Sequence, residues 1–236
     1  MIIFGRNPVI EALRSTKVNV VFLAKGQKDI LELCAQHNVP VKFVERSYLT
    51  NLVKTEKHQG VASEVSERAV TVADLLTIAE KKGEEPFILI LDSIQDPHNI
   101  GAIARSGEVF GAHGVILPER KSARISSTVW KTSAGAIGHL PVCYTNIAGA
   151  MEFLKRKYVF VVGADMGGVP LSEKNLSGPI ALVMGSEDGG LRPLTRKRCD
   201  LLVSIPMRGK ISSLNASVAA GIMLYEISRQ RISGAR

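Results

Sequence analysis

Five short runs of almost unbroken apolar residues constrain this chain most: FILILD (87–92), GVILP (114–118), YVFVVGA (158–164), PIALVMG (179–185) and LLVSIPM (201–207). A strand with one face in water alternates apolar and polar side chains, whereas a run that is apolar throughout is covered on both faces. Between these runs lie stretches with helical spacing, above all from about Asn99 to Phe110 and from about Leu214 to Arg229. Strands alternating with helices predict a mostly parallel sheet with helices on both sides. Ligands of such sheets bind beyond the carboxyl ends of the strands. That rule selects three loops: 92–99, 185–192 and 207–213.

Residues 1–66 form a separate small α/β unit. VNVVFLA (18–24), VKFV (41–44) and GVASEVS (60–66) are expected as strands, and DILELCAQHN (29–38) as a short amphipathic helix. The segment that follows, 67–85, is expected to be a linker. Its charged end, EKKGEEP, is the best linker candidate, and the helical pattern VADLLTIAEK before it can pack on either unit. The second domain then spans 86–236. No stretch of about twenty apolar residues is present, so no membrane span is expected. MIIFGRNPVIEAL lacks a basic start, a long apolar run and a cleavage site, so no signal peptide is expected. The three cysteines, Cys34, Cys143 and Cys199, stand far apart. They indicate neither a zinc site nor a disulfide framework, and they fit a reducing cytoplasm.

The net charge of +8 is unevenly placed. Nine basic residues lie from Arg192 to Arg236 against two acids, with a smaller cluster at Arg120, Lys121, Arg124 and Lys131. Such asymmetry suggests a polyanionic partner or an ordinary solvated basic surface, and charge alone does not choose.

The three loops carry the polar groups. In DSIQDPHNIGAIARSGEVFG (92–111), Asn99 is a good helix N-cap, and Ile100, Ile103, Ala104, Gly107 and Phe110 share one face. Arg105 lies off that face and can lean back toward the strand end. GSEDGGLRPLT (185–195) presents Glu187 among glycines that allow close backbone approach. It is neither a P-loop nor a dinucleotide fingerprint. In SIPMRGKISSLNASVAAGIMLYE (204–226), Ser212, Ser213 and Asn215 crowd a helix start. Ser213 is expected to cap that helix and Asn215 to fall in its first turn, where Asn is a poor helix former. The helix is apolar almost all round from Ala216 to Tyr225, so it is buried or lies in an interface.

Taken together and in order, N-x-G-x-x-x-R-x-x-x-x-F-G (Asn99 to Gly111), L-V-M-G-S-E-x-x-G-L (182–191) and I-P-M-x-G-x-x-S-S-L-N-x-S-x-A (205–219) resemble the three motifs of the SpoU (TrmH) family of RNA ribose methyltransferases. GRNPVIEAL (5–13) and HQGVA (58–62) resemble the small RNA-binding domain, similar to ribosomal protein L30e, that precedes the catalytic domain in many members. The resemblance implies an α/β fold of SPOUT type, with a parallel sheet and a C-terminal trefoil knot. The threading would involve loops 185–192 and 207–213. It also implies a cytoplasmic homodimer with active sites at the subunit interface, S-adenosylmethionine as methyl donor and RNA as partner, with no metal, DNA or membrane. Length and layout most resemble members that methylate a guanosine ribose in large-subunit (23S) rRNA, and members acting on tRNA share all three motifs.

Carried over by position, Arg105 corresponds to the catalytic arginine, Asn99 to its companion, Glu187 to the motif-two acid, and Ser213 with Asn215 to the motif-three polar pair. Gly185, Ile205 and Leu214 correspond to the cofactor-binding positions. Ala216 departs from the Val of many members. Methyl transfer to a hydroxyl needs alignment, proton removal and exclusion of water. An arginine is a poor base, because its pKa exceeds about 12. Arg105 is therefore expected to grip a substrate phosphate and stabilise the developing alkoxide, with direct proton removal as the alternative role. A non-catalytic RNA binder of the same fold would need no such constellation.

Overall fold

The computed structural model describes residues 1–66, 69–120, 122–187, 189–210 and 213–234. Of the residues named above, Lys121, Ser212 and Arg236 lie outside these ranges. The N-terminal unit runs β1 (Ile2–Phe4), α1 (Arg6–Ser15), β2 (Val18–Leu23), α2 (Lys28–Gln36), β3 (Val41–Phe43), α3 (Arg46–Val53) and β4 (Val61–Val65). Its sheet has the order β1-β4-β2-β3. β4 pairs antiparallel with β1 and β2, while β2 and β3 are parallel. The three strands expected from the sequence are β2, β3 and β4. β1 is three residues long, too short to show a period, and is held by its register with β4.

The second unit runs α4 (Val72–Lys82), β5 (Phe87–Leu91), α5 (Pro97–Val109), β6 (Gly114–Pro118), α6 (Ser127–Thr132), β7 (Val142–Thr145), α7 (Ile147–Arg156), β8 (Phe160–Pro170), β9 (Ile180–Met184), α8 (Pro193–Arg198), β10 (Leu201–Ser204) and α9 (Ala216–Gly234). The strands form one sheet in the order β10-β8-β9-β5-β6-β7, every neighbouring pair parallel. β5 shows why the apolar runs do not alternate. Phe87, Leu89 and Leu91 face a layer that includes Ile100 and Ile103 of α5 and Leu224 of α9. Ile88 and Ile90 face the opposite layer, with Leu75 of α4 and Met151 and Leu154 of α7. A fully buried Leu or Ile contributes about 1.5–3 kcal/mol. Truncating a few of them would exhaust a typical stability of about 5–15 kcal/mol.

In the second unit β7 was not expected from the sequence, and α4 is the helical pattern read at VADLLTIAEK. β7 is the third strand on one side of β9, but four residues, of which only Cys143 is buried, carry too little period to be read. α4 occupies 72–82, most of the segment 67–85 expected as a linker. Thr71 and Asp74 cap it reciprocally, and Leu75 and Ala79 are fully buried against the sheet. The two units meet where α1 packs on α6, with Gly135 against Glu11 and Gly138 against Ser15. A cavity of about 620 Å³ lies between them, lined by Trp130, Tyr144, Val65 and Val70 among others. None of the described motif residues lines it.

The chain order reverses at β5, with β6 and β7 on one side and β9, β8 and β10 on the other. The loops after β5 and β9 therefore face each other at the switch point, where parallel sheets open a crevice.

Candidate active site

The first loop is set by Asp96, not by Asn99. Asp96 caps α5, its carboxylate accepting from the His98 N–H at 2.8 Å, and Pro97 takes the first helical position. Proline there is pre-organised for a helix start, so Asp96 wins the cap and the expected cap at Asn99 is not made. The result frees the Asn99 amide. It sits in the first turn of α5, 6% exposed, and points sideways to the loop after β9.

That loop is a tight hairpin. Ser186 and Gly190 exchange two backbone hydrogen bonds of 3.0 and 2.9 Å. Gly185 begins it, and a Cβ there would overlap the Gly190 carbonyl and the Leu191 nitrogen. Glycine is required for that approach. Glu187 at the hairpin tip accepts from Asn99 Nδ2 and, at 3.0 Å, from Asn215 Nδ2, both through Oε1. Asn215 Nδ2 also reaches Asn99 Oδ1 at 3.3 Å.

Asn215 is the N-cap of α9, where Ser213 was expected. Its Oδ1 accepts from the Ser217 N–H at 2.9 Å and the Ser217 hydroxyl at 2.6 Å, and its carbonyl starts the helix at Ala219. Asn caps as well as Ser does, and it is unfavourable inside a helix, so the helix begins one residue after it. One side chain thus caps α9 with its oxygen and holds the cluster with its nitrogen. Ser213 is exposed and has no partner among the described residues.

The structure brings Asn99, Glu187 and Asn215 together from three separate motifs. It does not bring Arg105 to them. Arg105 is exposed on α5, and it makes no hydrogen bond or ion pair among the described residues. Its guanidinium is free for a ligand. Of the cofactor positions, Gly185 is buried at the hairpin base, Ile205 is half-buried after β10, and Leu214 is exposed just before the α9 cap. Met207 is also exposed on the third loop. A backbone hairpin beside exposed apolar side chains suits a nucleoside ligand, which combines hydrogen-bonding edges with an apolar face.

The basic run is mostly consumed inside the protein. Arg192 pairs with Asp92, Arg196 with Asp165 at 2.8 Å, Arg198 with Glu152, and Arg229 with Glu226 at 2.7 Å. Arg231 donates to backbone carbonyls, including Gly178 at 2.9 Å. Lys197, Arg208 and Lys210 have no partner among the described residues. No cysteine suits a nucleophile. Burial pushes the thiols of Cys34 and Cys143 up, and that of Cys199 up to about 12. Among the described residues, no cluster of His, Cys, Asp and Glu could hold a metal, and no helix is long and apolar enough to cross a membrane.

A parallel sheet with a switch-point crevice and a polar cluster built from three loops defines an α/β enzyme whose chemistry sits at the carboxyl edge. Residues 86–225 match the SpoU rRNA methylase family, and residues 2–70 match the family of RNA 2′-O ribose methyltransferase substrate-binding domains. The chain belongs to the SpoU family, and it is an S-adenosylmethionine-dependent RNA methyltransferase. It is 41% identical over 239 residues to YacO of Bacillus subtilis (strain 168), whose name places it among TrmH family tRNA/rRNA methyltransferases, covering 97% of this chain and 95% of YacO. Among solved structures it is similar to the SpoU methyltransferase AviRb from Streptomyces viridochromogenes, with 28% identity, a TM-score of 0.86 and coverage of 99% of this chain and 90% of that one. AviRb in complex with the cofactor AdoMet gives a TM-score of 0.85 at 27% identity, covering 99% and 91%.

Proposed function

We propose that this chain methylates the 2′-hydroxyl of a ribose in RNA, with a guanosine of 23S rRNA as the target. The observation that carries this reading is the Asn99–Glu187–Asn215 cluster at the switch point, with Asn99 on the same helix as Arg105, which is unpaired among the described residues. Gly185, Ile205 and Leu214 would hold S-adenosylmethionine, largely by backbone. When bound, the cofactor supplies an electrophilic methyl group on a sulfonium.

The remaining work falls to this chain. Arg105 binds a phosphate next to the target ribose and stabilises the negative charge that grows on the 2′-oxygen. Both amides of the cluster use Glu187 Oε1, so Oε2, without a partner among the described residues, orients a ligand hydroxyl. Ser213, exposed one residue before Leu214, orients the ribose. Residues 1–66 act as the substrate-binding domain, a reading supported by the match over residues 2–70.

The active unit is a homodimer. α9 buries Ala220, Met223, Leu224 and Ile227 but leaves Val218 (50%), Ile222 (41%) and Tyr225 (55%) exposed. The two helices pack with Gly221 opposite Ser106 and Tyr225 edge-on to Phe110. A second copy covering this strip would bring Arg105 into a shared site. The trefoil knot belongs to the same proposal. Its support is the path of the chain, which leaves β10 at a sheet edge and starts α9 against the loops after β5 and β9.

The test is transfer of labelled methyl to bulk rRNA, bulk tRNA and ribosomal particles, with wild type and Arg105→Ala. Label in large-subunit rRNA or its particle, absent with Arg105→Ala while cofactor binding survives, supports the reading. Label confined to tRNA moves the substrate, and a near-normal Arg105→Ala removes that residue from the mechanism.

A further inference from the structure

Asp92 is the one buried carboxylate among the described residues, with 0% of its surface exposed. Removing a carboxylate from water is costly unless it is paired and hydrogen-bonded. Its pairing is specific. Oδ1 meets the guanidinium of Arg192, and Oδ2 accepts weakly from the Arg192 backbone N–H at 3.4 Å. On its other side, the Asp92 backbone N–H donates to the Met184 carbonyl at 2.7 Å.

Met184 and Arg192 are the two ends of the motif-two hairpin. Asp92 therefore holds both ends at once, from the strand at the switch point. Everything between them depends on that closure, namely Gly185, the Ser186–Gly190 bridge and Glu187. The next residue, Ser93, adopts a left-handed conformation at φ 67°, and its hydroxyl lies 3.4 Å from Asp92 Oδ1. Such a backbone is strained for a non-glycine residue, and it persists where the surroundings over-determine it. Arg192 is 44% exposed on the side-chain scale, so solvent competes for the pair from one side only.

We propose that the Asp92–Arg192 pair is a positioning clamp that sets the hairpin for S-adenosylmethionine, with Arg192 serving the cofactor site and not the RNA surface. This rests on the assignment of the Gly185 hairpin to the cofactor. The clamp touches no reacting atom. It acts through Gly185 and Glu187 by fixing the loop that carries them, so its loss is felt in cofactor affinity.

The experiment uses the full chain and titrates S-adenosylmethionine by calorimetry, alongside thermal melts, RNA filter binding and kinetics. Arg192→Ala and Asp92→Asn are each expected to weaken cofactor binding tenfold or more. The KM for S-adenosylmethionine rises in step, while RNA affinity is unchanged. Arg192→Lys restores part of the loss, and the double variant binds no worse than the weaker single variant, as expected of two groups acting through one contact. Should Asp92→Asn fail to fold, Arg192→Ala alone carries the test, since that side chain is half-exposed. Cofactor affinity within twofold of wild type in Arg192→Ala overturns the clamp, and so does a loss of RNA affinity without loss of cofactor affinity. Gly185→Ala separates the two levels of the argument. Normal cofactor binding in that variant removes the hairpin from the cofactor site. Loss in Gly185→Ala with none in Arg192→Ala removes only the clamp.

Discussion

Replacing Asn215 by serine and by alanine separates the two jobs of that side chain. Its oxygen caps α9, and its nitrogen donates to Glu187 and Asn99. Alanine removes both. The lost cap costs about 1 kcal/mol, which for a chain of this size lowers Tm by about 2–4 °C. Serine caps as well as asparagine, so Asn215→Ser keeps the cap and melts about 2–4 °C above Asn215→Ala. It cannot carry the amide donation to a carboxylate, a bond worth about 1.5–3 kcal/mol. If that bond aligns Glu187 in the transition state, turnover falls about 10- to 100-fold, at 1.36 kcal/mol for each factor of ten. The assay pairs a thermal melt with single-turnover methyl transfer at saturating cofactor. A serine variant that melts and reacts like wild type would refute the reasoning and leave the cluster as a structural tie. So would an alanine variant whose activity loss is fully accounted for by unfolding.

Ile222→Asp, on the exposed strip of α9, is expected to convert a dimer to a folded monomer with little turnover. Light scattering checks this, and a dimer of undiminished activity would contradict it. His113 is fully buried, and its Nδ1 accepts from the Phe87 N–H at 3.0 Å while Nε2 faces Glu84 at 3.1 Å. Burial holds its pKa below the ordinary 6.5, so the ring is neutral when folded and the unfolded chain takes the proton first. Stability should therefore be fully present above about pH 6.5 and fall as pH drops below it, a slope that denaturant titrations should find reduced in His113→Gln. Arg208→Ala should lower the salt dependence of RNA binding by about one counterion, whereas Arg196→Ala, already paired with Asp165, should leave that slope unchanged.

The sheet was legible in the sequence because burial on both faces forces runs such as FILIL and IALVM, which no half-exposed strand would tolerate. The residues of the cluster were legible through their motifs, but their local roles were not. Caps are decided by competition between neighbours. Asp96 beside Pro97 displaced Asn99, and Asn215 displaced Ser213. The basic run misled for a different reason. The partners of Arg192, Arg196 and Arg198 lie 100, 31 and 46 positions away, and only the fold brings those acids to them. Asp92 escaped notice on the same ground. An acid ending an apolar strand looks like a solvated loop residue until its buried pairing is seen. β7 escaped because four residues carry too little periodicity, whereas the helical pattern VADLLTIAEK was legible as α4.

The most direct test of the central claim is the chemical position of the transferred methyl. RNA methylated by this enzyme with labelled S-adenosylmethionine would be digested to nucleosides and separated, with a parallel alkaline hydrolysis. Label recovered as a 2′-O-methylnucleoside, at a site where alkali no longer cleaves, is the result the account predicts. Label on a base, with the neighbouring phosphodiester still cleaved by alkali, would contradict it.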